Sequence, residues 1–183
     1  NTPGGMLISS QQMIESLFKS KVPVVIYVTP SGGTAASAGV FITMAGHIAA
    51  MAPGTSIGAA HPVSGDGKDI EGDMRLKAEN LTIAMVRSVA EQRGRNIAWA
   101  EKAVRESSSL TEKEALSQKV IDIIATDIDD LLKQLKDRKI KVGEKEITLG
   151  DYTKSPKILY EMPSHFKALN LIAQPTVAGI LWL

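Results

Sequence analysis

A serine set among alanines and glycines, Thr34-Ala-Ala-Ser37-Ala-Gly39, stands between a β-branched apolar run, Val22 to Val28, and a run that reads as helix from Ala35 to His47. The flanking residues Ala36 and Ala38 leave the approach to Ser37 open. A hydroxyl on such a strand-to-helix turn would face substrate at the end of a sheet, near the positive end of a helix, which makes Ser37 a candidate nucleophile. Ala35-Ala-Ser37-Ala-Gly39 differs from the Gly-x-Ser-x-Gly elbow by one glycine. The other reading of Ser37 is an N-cap or a packing serine at the start of an Ala/Gly-rich helix.

A serine hydroxyl is a weak nucleophile and requires a base. The three histidines are His47, His61 and His165. They close the predicted helix, follow a glycine-rich loop and fall in the C-terminal tail, and each reads as structural. A lysine can take the place of histidine when burial disfavours its ammonium form. Lys77 is placed for this at the start of a helix predicted from about Arg75 to Arg93, with Leu76, Ala78, Leu81 and Ile83 nearby in sequence. An ordinary surface lysine is the alternative. Lys68, on the glycine-rich and charged stretch from Val63 to Asp73, is the fallback base. That stretch reads as a mobile loop that could wall a substrate site. The oxyanion of an acyl-transfer intermediate needs two converging N–H groups. Gly4-Gly5 after a strand end could supply one and Ala38 the other, with an ordinary turn as the alternative.

These residues must be carried by a fold of about one domain, since the chain has 183 residues. A net charge of +1 and an aromatic content of 4% give no basis for nucleic-acid binding. The absence of cysteine excludes disulfides, thiol catalysis and thiolate metal sites. No dinucleotide fingerprint, phosphate-binding loop or His-Glu-x-x-His motif is present, and no metal or cofactor is implied. The periodicity predicts a short helix from Ser9 or Ser10, a buried strand over Val22–Val28, the Ala35–His47 helix and a strand over Ile48–Ala52. It continues with a long helix ended by Gly94, a helix over Asn96–Ser107, and a Thr111/Glu114 capping box opening a helix to Gln118. A strand over Val120–Ile124, a helix over Ile128–Leu135 capped by Thr126 or Asp127, and a hairpin over Ile140–Leu149 complete the set. Strands alternating with helices define an α/β class.

Both ends read as cut: Asn1-Thr-Pro-Gly-Gly5 resembles the end of a strand, and Ala168 to Leu183 is uncharged. We expect a domain over 1–150 and, over 151–183, an extension leading to a truncated transmembrane segment. A C-terminal helix packed on the core is the other reading of that end.

Asn1-Thr-Pro-Gly-Gly5, Thr34-Ala-Ala-Ser37-Ala-Gly39, Met51-Ala-Pro-Gly-Thr-Ser-Ile-Gly58, Lys77-Ala-Glu-Asn80, Gly94-Arg-Asn96 and Ser109-Leu-Thr-Glu-Lys-Glu-Ala115 occur in this order. Together they resemble the N-terminal serine protease domain of the NfeD membrane proteins. The resemblance implies the Clp-protease/crotonase fold, a spiral of strand-helix units, here without its first strands and helix. It implies Ser37 as nucleophile, Lys77 as general base, and Gly5 with Ala38 as oxyanion donors. It further implies a membrane-anchored serine endopeptidase with a Ser-Lys dyad, a homo-oligomer whose protease domain lies outside the cytoplasm and which cuts apolar segments of stomatin-like partners. Two rivals stand beside it: an acyl-CoA hydratase or isomerase of the same fold class, which would want a carboxylate base, and a non-catalytic domain that binds a membrane partner.

Overall fold

The computed structural model describes residues 1–64 and 68–172. The chain forms two compact units, Asn1–Thr153 and Lys154–Leu183.

In the first unit the elements run α1 (Leu7–Phe18), β1 (Val25–Val28), β2 (Thr34–Ala36), α2 (Ala38–Ala45), β3 (Ile48–Met51) and β4 (Ser56–Gly58). They continue as α3 (Gly72–Arg93), α4 (Ile97–Arg105), β5 (Ser109–Thr111), α5 (Glu112–Ser117), β6 (Ile123–Ile124), α6 (Ile128–Leu135), β7 (Lys139–Val142) and β8 (Lys145–Thr148). The second unit contributes α7 (Ser164–Ile172). Part of the uncharged C-terminal run, residues 173–183, lies outside the described residues. Among the described residues no helix is long and apolar enough to cross a membrane.

The strands β1 to β6 divide between two sheets. One has the order β1-β3-β6, all parallel, and the other the order β2-β4-β5, in which β2 and β4 are parallel and β5 is antiparallel. Thr2 extends the second sheet as a parallel bridge to Ala35. Parallel neighbours require a crossover, and here helices supply it: α2 joins β2 to β3, while α3, α4 and α5 lie between β4 and β6. β7 and β8 form a separate hairpin turned at Gly143 and Glu144.

β3 shows how the apolar sequence becomes two cores. Its residues are all buried, and because side chains alternate across a strand, Ala49 and Met51 enter one cluster while Ile48 and Ala50 enter the other. The larger cluster takes Val40, Phe41 and Met44 from α2, Ile83, Val86 and Val89 from α3, and Trp99 and Val104 from α4. The smaller takes Ile123, Leu131, Leu135 and Leu149. α2 is apolar on nearly every side, as expected of a helix enclosed by its neighbours.

Three of the departures from the expected element boundaries have a hydrogen-bonding reason. β1 begins at Val25, since Pro23 has no N–H and the Val24 N–H donates to His47 Nδ1 at 3.2 Å. Thr34–Ala36 is strand because it pairs with Ser56–Gly58 on one side and Thr2 on the other. β6 is reduced to Ile123–Ile124, since the N–H groups of Val120 and Ile121 both go to the Ala115 carbonyl of α5, at 2.8 and 3.3 Å.

Gly94-Arg-Asn96 anchors the far end of the nucleophile helix. Gly94 takes the left-handed φ of 64° that ends α3, and Asn96 caps α4 by accepting from the Trp99 N–H at 2.9 Å. Between them Arg95, 6% exposed, donates to the carbonyls of Met44, Gly46 and Val120 and pairs with Asp122 at 3.0 Å. Two of these acceptors belong to the α2 C-terminus, where a cation is favoured by the helix dipole. α2 is therefore held at its end, and with it the residue at its start.

Candidate active site

Ser37 sits between β2 and α2 at φ 51° and ψ −115°. A side chain with a Cβ is strained at such values by about 1–3 kcal/mol. The surroundings impose them: the Ser37 N–H donates to the carbonyls of Gly58 and Ala59 at 3.1 and 3.2 Å, and its own carbonyl accepts from the Val40 N–H at 3.0 Å. Gly58 has to be glycine for this, since a Cβ there would stand 2.3 Å from the Ser108 carbonyl oxygen. Ser37 occupies the N-cap position but its hydroxyl makes no capping bond. The capping account of this serine is thereby removed, and its strain serves no helix start.

Gly4 and Gly5 face this turn. A Cβ on Gly4 would lie 3.6 Å from Ser37 Cβ and 3.8 Å from Oγ, and one on Gly5 would lie 3.3 Å from Ala38 Cβ. Thr2 places them there by donating to the Thr34 carbonyl at 2.7 Å and accepting from the Ala36 N–H at 2.9 Å. Among the described residues no acceptor takes the N–H of Gly5 or of Ala38. Two unused donors thus lie beside one unused hydroxyl.

The hydroxyl opens on a cavity of about 470 Å³. Leu7, Phe41, Ala60, Pro62 and Val63 give it apolar walls, and Gly5 and Ser37 form part of its lining. Phe41 follows Ser37 by one helical turn, so its place beneath the serine is legible in the spacing. Ala60 and Thr82 were not anticipated; Thr82 comes from α3, and its hydroxyl is turned to the Ala78 carbonyl at 2.7 Å. The Val63–Asp73 stretch contributes Val63 and Ser64 to the wall, and Val63 bridges Asp69.

Lys77 is not brought to Ser37 in the same way. It is exposed and does not line the cavity. α3 begins at Gly72, earlier than expected, which puts Lys77 in the second turn, beyond the strongest influence of the helix N-terminus. Leu76 and Leu81, expected to shield it, are themselves 53% and 56% exposed. Lys68 does not line the cavity either. His47 and His61 bond to the backbone, His47 through Nδ1 to the Val24 N–H and His61 through Nδ1 to the Val104 carbonyl at 3.1 Å. His165 lies in the second unit beside Phe166.

Strands divided between two sheets and joined by helices, with a strained serine leading the central helix and a glycine turn laid against it, define an α/β protein of the Clp-protease/crotonase class. Residues 1–144 match the family described as NfeD1b, N-terminal domain, and the chain belongs to that family. It is 40% identical over 187 residues to the membrane-bound protease PH1510 of Pyrococcus horikoshii, an alignment covering 99% of this chain and 42% of that protein. The chain thus spans less than half the length of this relative. Among solved structures it resembles the 1510-N membrane-bound stomatin-specific protease as a lysine-to-alanine variant in complex with a substrate peptide, with a TM-score of 0.81 and 38% identity over 93% of this chain and 78% of that one. A serine-to-alanine variant of the same protease gives a TM-score of 0.79 and 39% identity over 89% and 79% of the two chains.

Proposed function

We propose that this chain is the catalytic domain of a membrane-anchored serine endopeptidase that cleaves apolar segments of stomatin-like membrane proteins. The observation that carries the reading is Ser37 itself, strained at φ 51° with an uncapped hydroxyl on a largely apolar cavity. Ser37 Oγ attacks the peptide carbonyl carbon as its proton passes to Lys77 Nζ, and the N–H groups of Gly5 and Ala38 receive the negative oxygen. Collapse of this intermediate breaks the C–N bond while the lysine returns the proton to the leaving amine. Water, deprotonated by the same lysine, then releases the acyl group. The substrate peptide seen with the related protease, and the choice of a lysine and a serine for alanine replacement there, support these roles.

Lys77 can act as base only where water is excluded from its amine. Its exposed neighbours Leu76 and Leu81 offer an apolar face that bound substrate or a second copy of the chain would cover. A homo-oligomer anchored through its C-terminal extension, with this domain on the extracytoplasmic side, fits that requirement. No carboxylate lines the cavity among the described residues, which disfavours a hydratase or isomerase needing a carboxylate base. The test is hydrolysis of an apolar peptide from a stomatin-like protein. Ser37→Ala should lower turnover by at least about a thousandfold with the circular dichroism unchanged. Wild-type turnover in that variant would end the proposal.

A further inference from the structure

The other end of α2 borders a second cavity, of about 440 Å³, lined by residues that include His47, Arg93, Asp122, Arg138, Lys139 and Lys141 and by none that line the Ser37 cavity. Its charges do not balance. Asp122 is already engaged, its Oδ2 accepting from Arg95 at 3.0 Å and from the Ala49 N–H at 2.7 Å. Among the described residues the carboxylate paired with Lys139 is the exposed Glu146, at 3.9 Å. Among the described residues no carboxylate pairs with Arg93, Arg138 or Lys141.

Structural duties account for only part of this. Arg93 donates from Nε to the Ala45 carbonyl and from Nη2 to the Leu17 carbonyl, at 2.8 and 3.3 Å, and lies over the Phe18 ring. Arg138 donates from Nε to the Gln134 carbonyl at 2.8 Å. Neutral carbonyls satisfy hydrogen bonds but leave a desolvated guanidinium without counter-charge, which is unfavourable. Burial first, then the proximity of Arg95, accordingly pulls the Arg93 guanidinium below its usual range.

His47 adds a neutral wall. Its Nδ1 accepts from the Val24 N–H, so the ring proton sits on Nε2, and Nε2 is buried without an acceptor. Burial, and then Arg93, holds this imidazole below its ordinary value. Two guanidiniums and two ammoniums therefore surround one space beside a neutral ring. They come from the end of α3, the residue before β7 and β7 itself, so they can converge on a ligand from more than one direction.

We propose that this cavity binds a phosphate-type oxyanion, held by the Arg93 and Arg138 guanidiniums, with Lys139 and Lys141 at its rim. A dianion matches the excess of positive charge, and a tetrahedral group can meet donors from several elements where a planar carboxylate presents one edge. The phosphate could belong to a soluble ester or to a phospholipid headgroup.

The test uses the 183-residue chain. Inorganic phosphate is titrated by proton-nitrogen NMR, and binding to phosphatidylglycerol and phosphatidylcholine vesicles is measured by co-sedimentation. Arg138→Gln with Lys141→Gln removes two charges at positions that do not build the core, and Lys102→Gln with Lys113→Gln removes two elsewhere. We expect saturable phosphate binding that moves the backbone amide resonances of Arg93 and of residues 138–141, weakened at least about tenfold in the first pair and less than about twofold in the second. Phosphatidylglycerol binding that phosphate competes away and the first pair abolishes identifies a headgroup, and phosphate binding without vesicle binding identifies a soluble ester. Absence of saturable binding, or equal weakening in both pairs, overturns the proposal.

Discussion

Replacing Ser37 by glycine should make the protein more stable and catalytically dead at once. At φ 51° and ψ −115° a residue bearing a Cβ is strained by about 1–3 kcal/mol, and glycine is not. Glycine loses about 0.5–1 kcal/mol more backbone entropy on folding, so the two terms leave a net gain near 1 kcal/mol. For a domain of this size that corresponds to a rise in Tm of roughly 2–4 °C. Ser37→Ala keeps the Cβ and therefore the strain, so its melting temperature should stay within about 1 °C of the parent. Thermal melts followed by circular dichroism on the three proteins, with peptide hydrolysis measured on each, separate strain from chemistry. If Ser37→Gly melts at or below Ser37→Ala, position 37 stores no strain and the argument from backbone geometry to a nucleophile fails.

Lys77→Arg and Lys77→Met should both lose peptide hydrolysis, because neither side chain can accept the serine proton, while Lys68→Ala keeps most of it; a dead Lys68→Ala would move the base to the Val63–Asp73 stretch. Thr111→Ala should cost about 1 kcal/mol, or roughly 2–4 °C in Tm, by removing the capping box in which Thr111 and Glu114 satisfy each other's backbone donors. His47, held below its ordinary value by burial and by Arg93, binds fewer protons in the folded than in the unfolded chain. Its contribution to stability is therefore complete above the unfolded value of about 6.5 and is lost as pH falls through the lower folded value. In phosphate-free buffer the fall in Tm between pH 7 and pH 5 should accordingly be smaller in His47→Gln than in the parent.

What the sequence disclosed and what it hid follow from the range of the interactions. The α3 stop at Gly94, the capping box at Thr111 and the hairpin about Gly143 depend on neighbours in the chain, and each is legible locally. Ser37 is legible as the small-residue turn between strand and helix. Its strand is β2 rather than the longer run at Val25–Val28, because pairing with Thr2 and with β4, contacts distant in sequence, converts Ala35 and Ala36 from helix to strand. The cavity wall at Ala60 and Thr82 carries no local signal, since Thr82 reaches it through the packing of α3 on α2 and Ala60 is held by a distant partner, its N–H donating to the Ala103 carbonyl at 2.8 Å. Lys77 stands apart: Leu76 and Leu81, near it in sequence, do not bury it in a single chain because on α3 they too face outward, while Ile83 turns into the core. Nothing beside Arg95 in the chain marks it as buried, and only the fold shows that it closes the α2 carbonyls.

The central claim, that Ser37 is an activated nucleophile, is tested most directly by labelling the intact chain with a fluorophosphonate probe and mapping the adduct by peptide mass spectrometry. The account predicts one modified serine, Ser37, with labelling abolished in Ser37→Ala and strongly slowed in Lys77→Met. Stoichiometric labelling of a different serine, or labelling of Ser37→Ala at the parent rate, would contradict it.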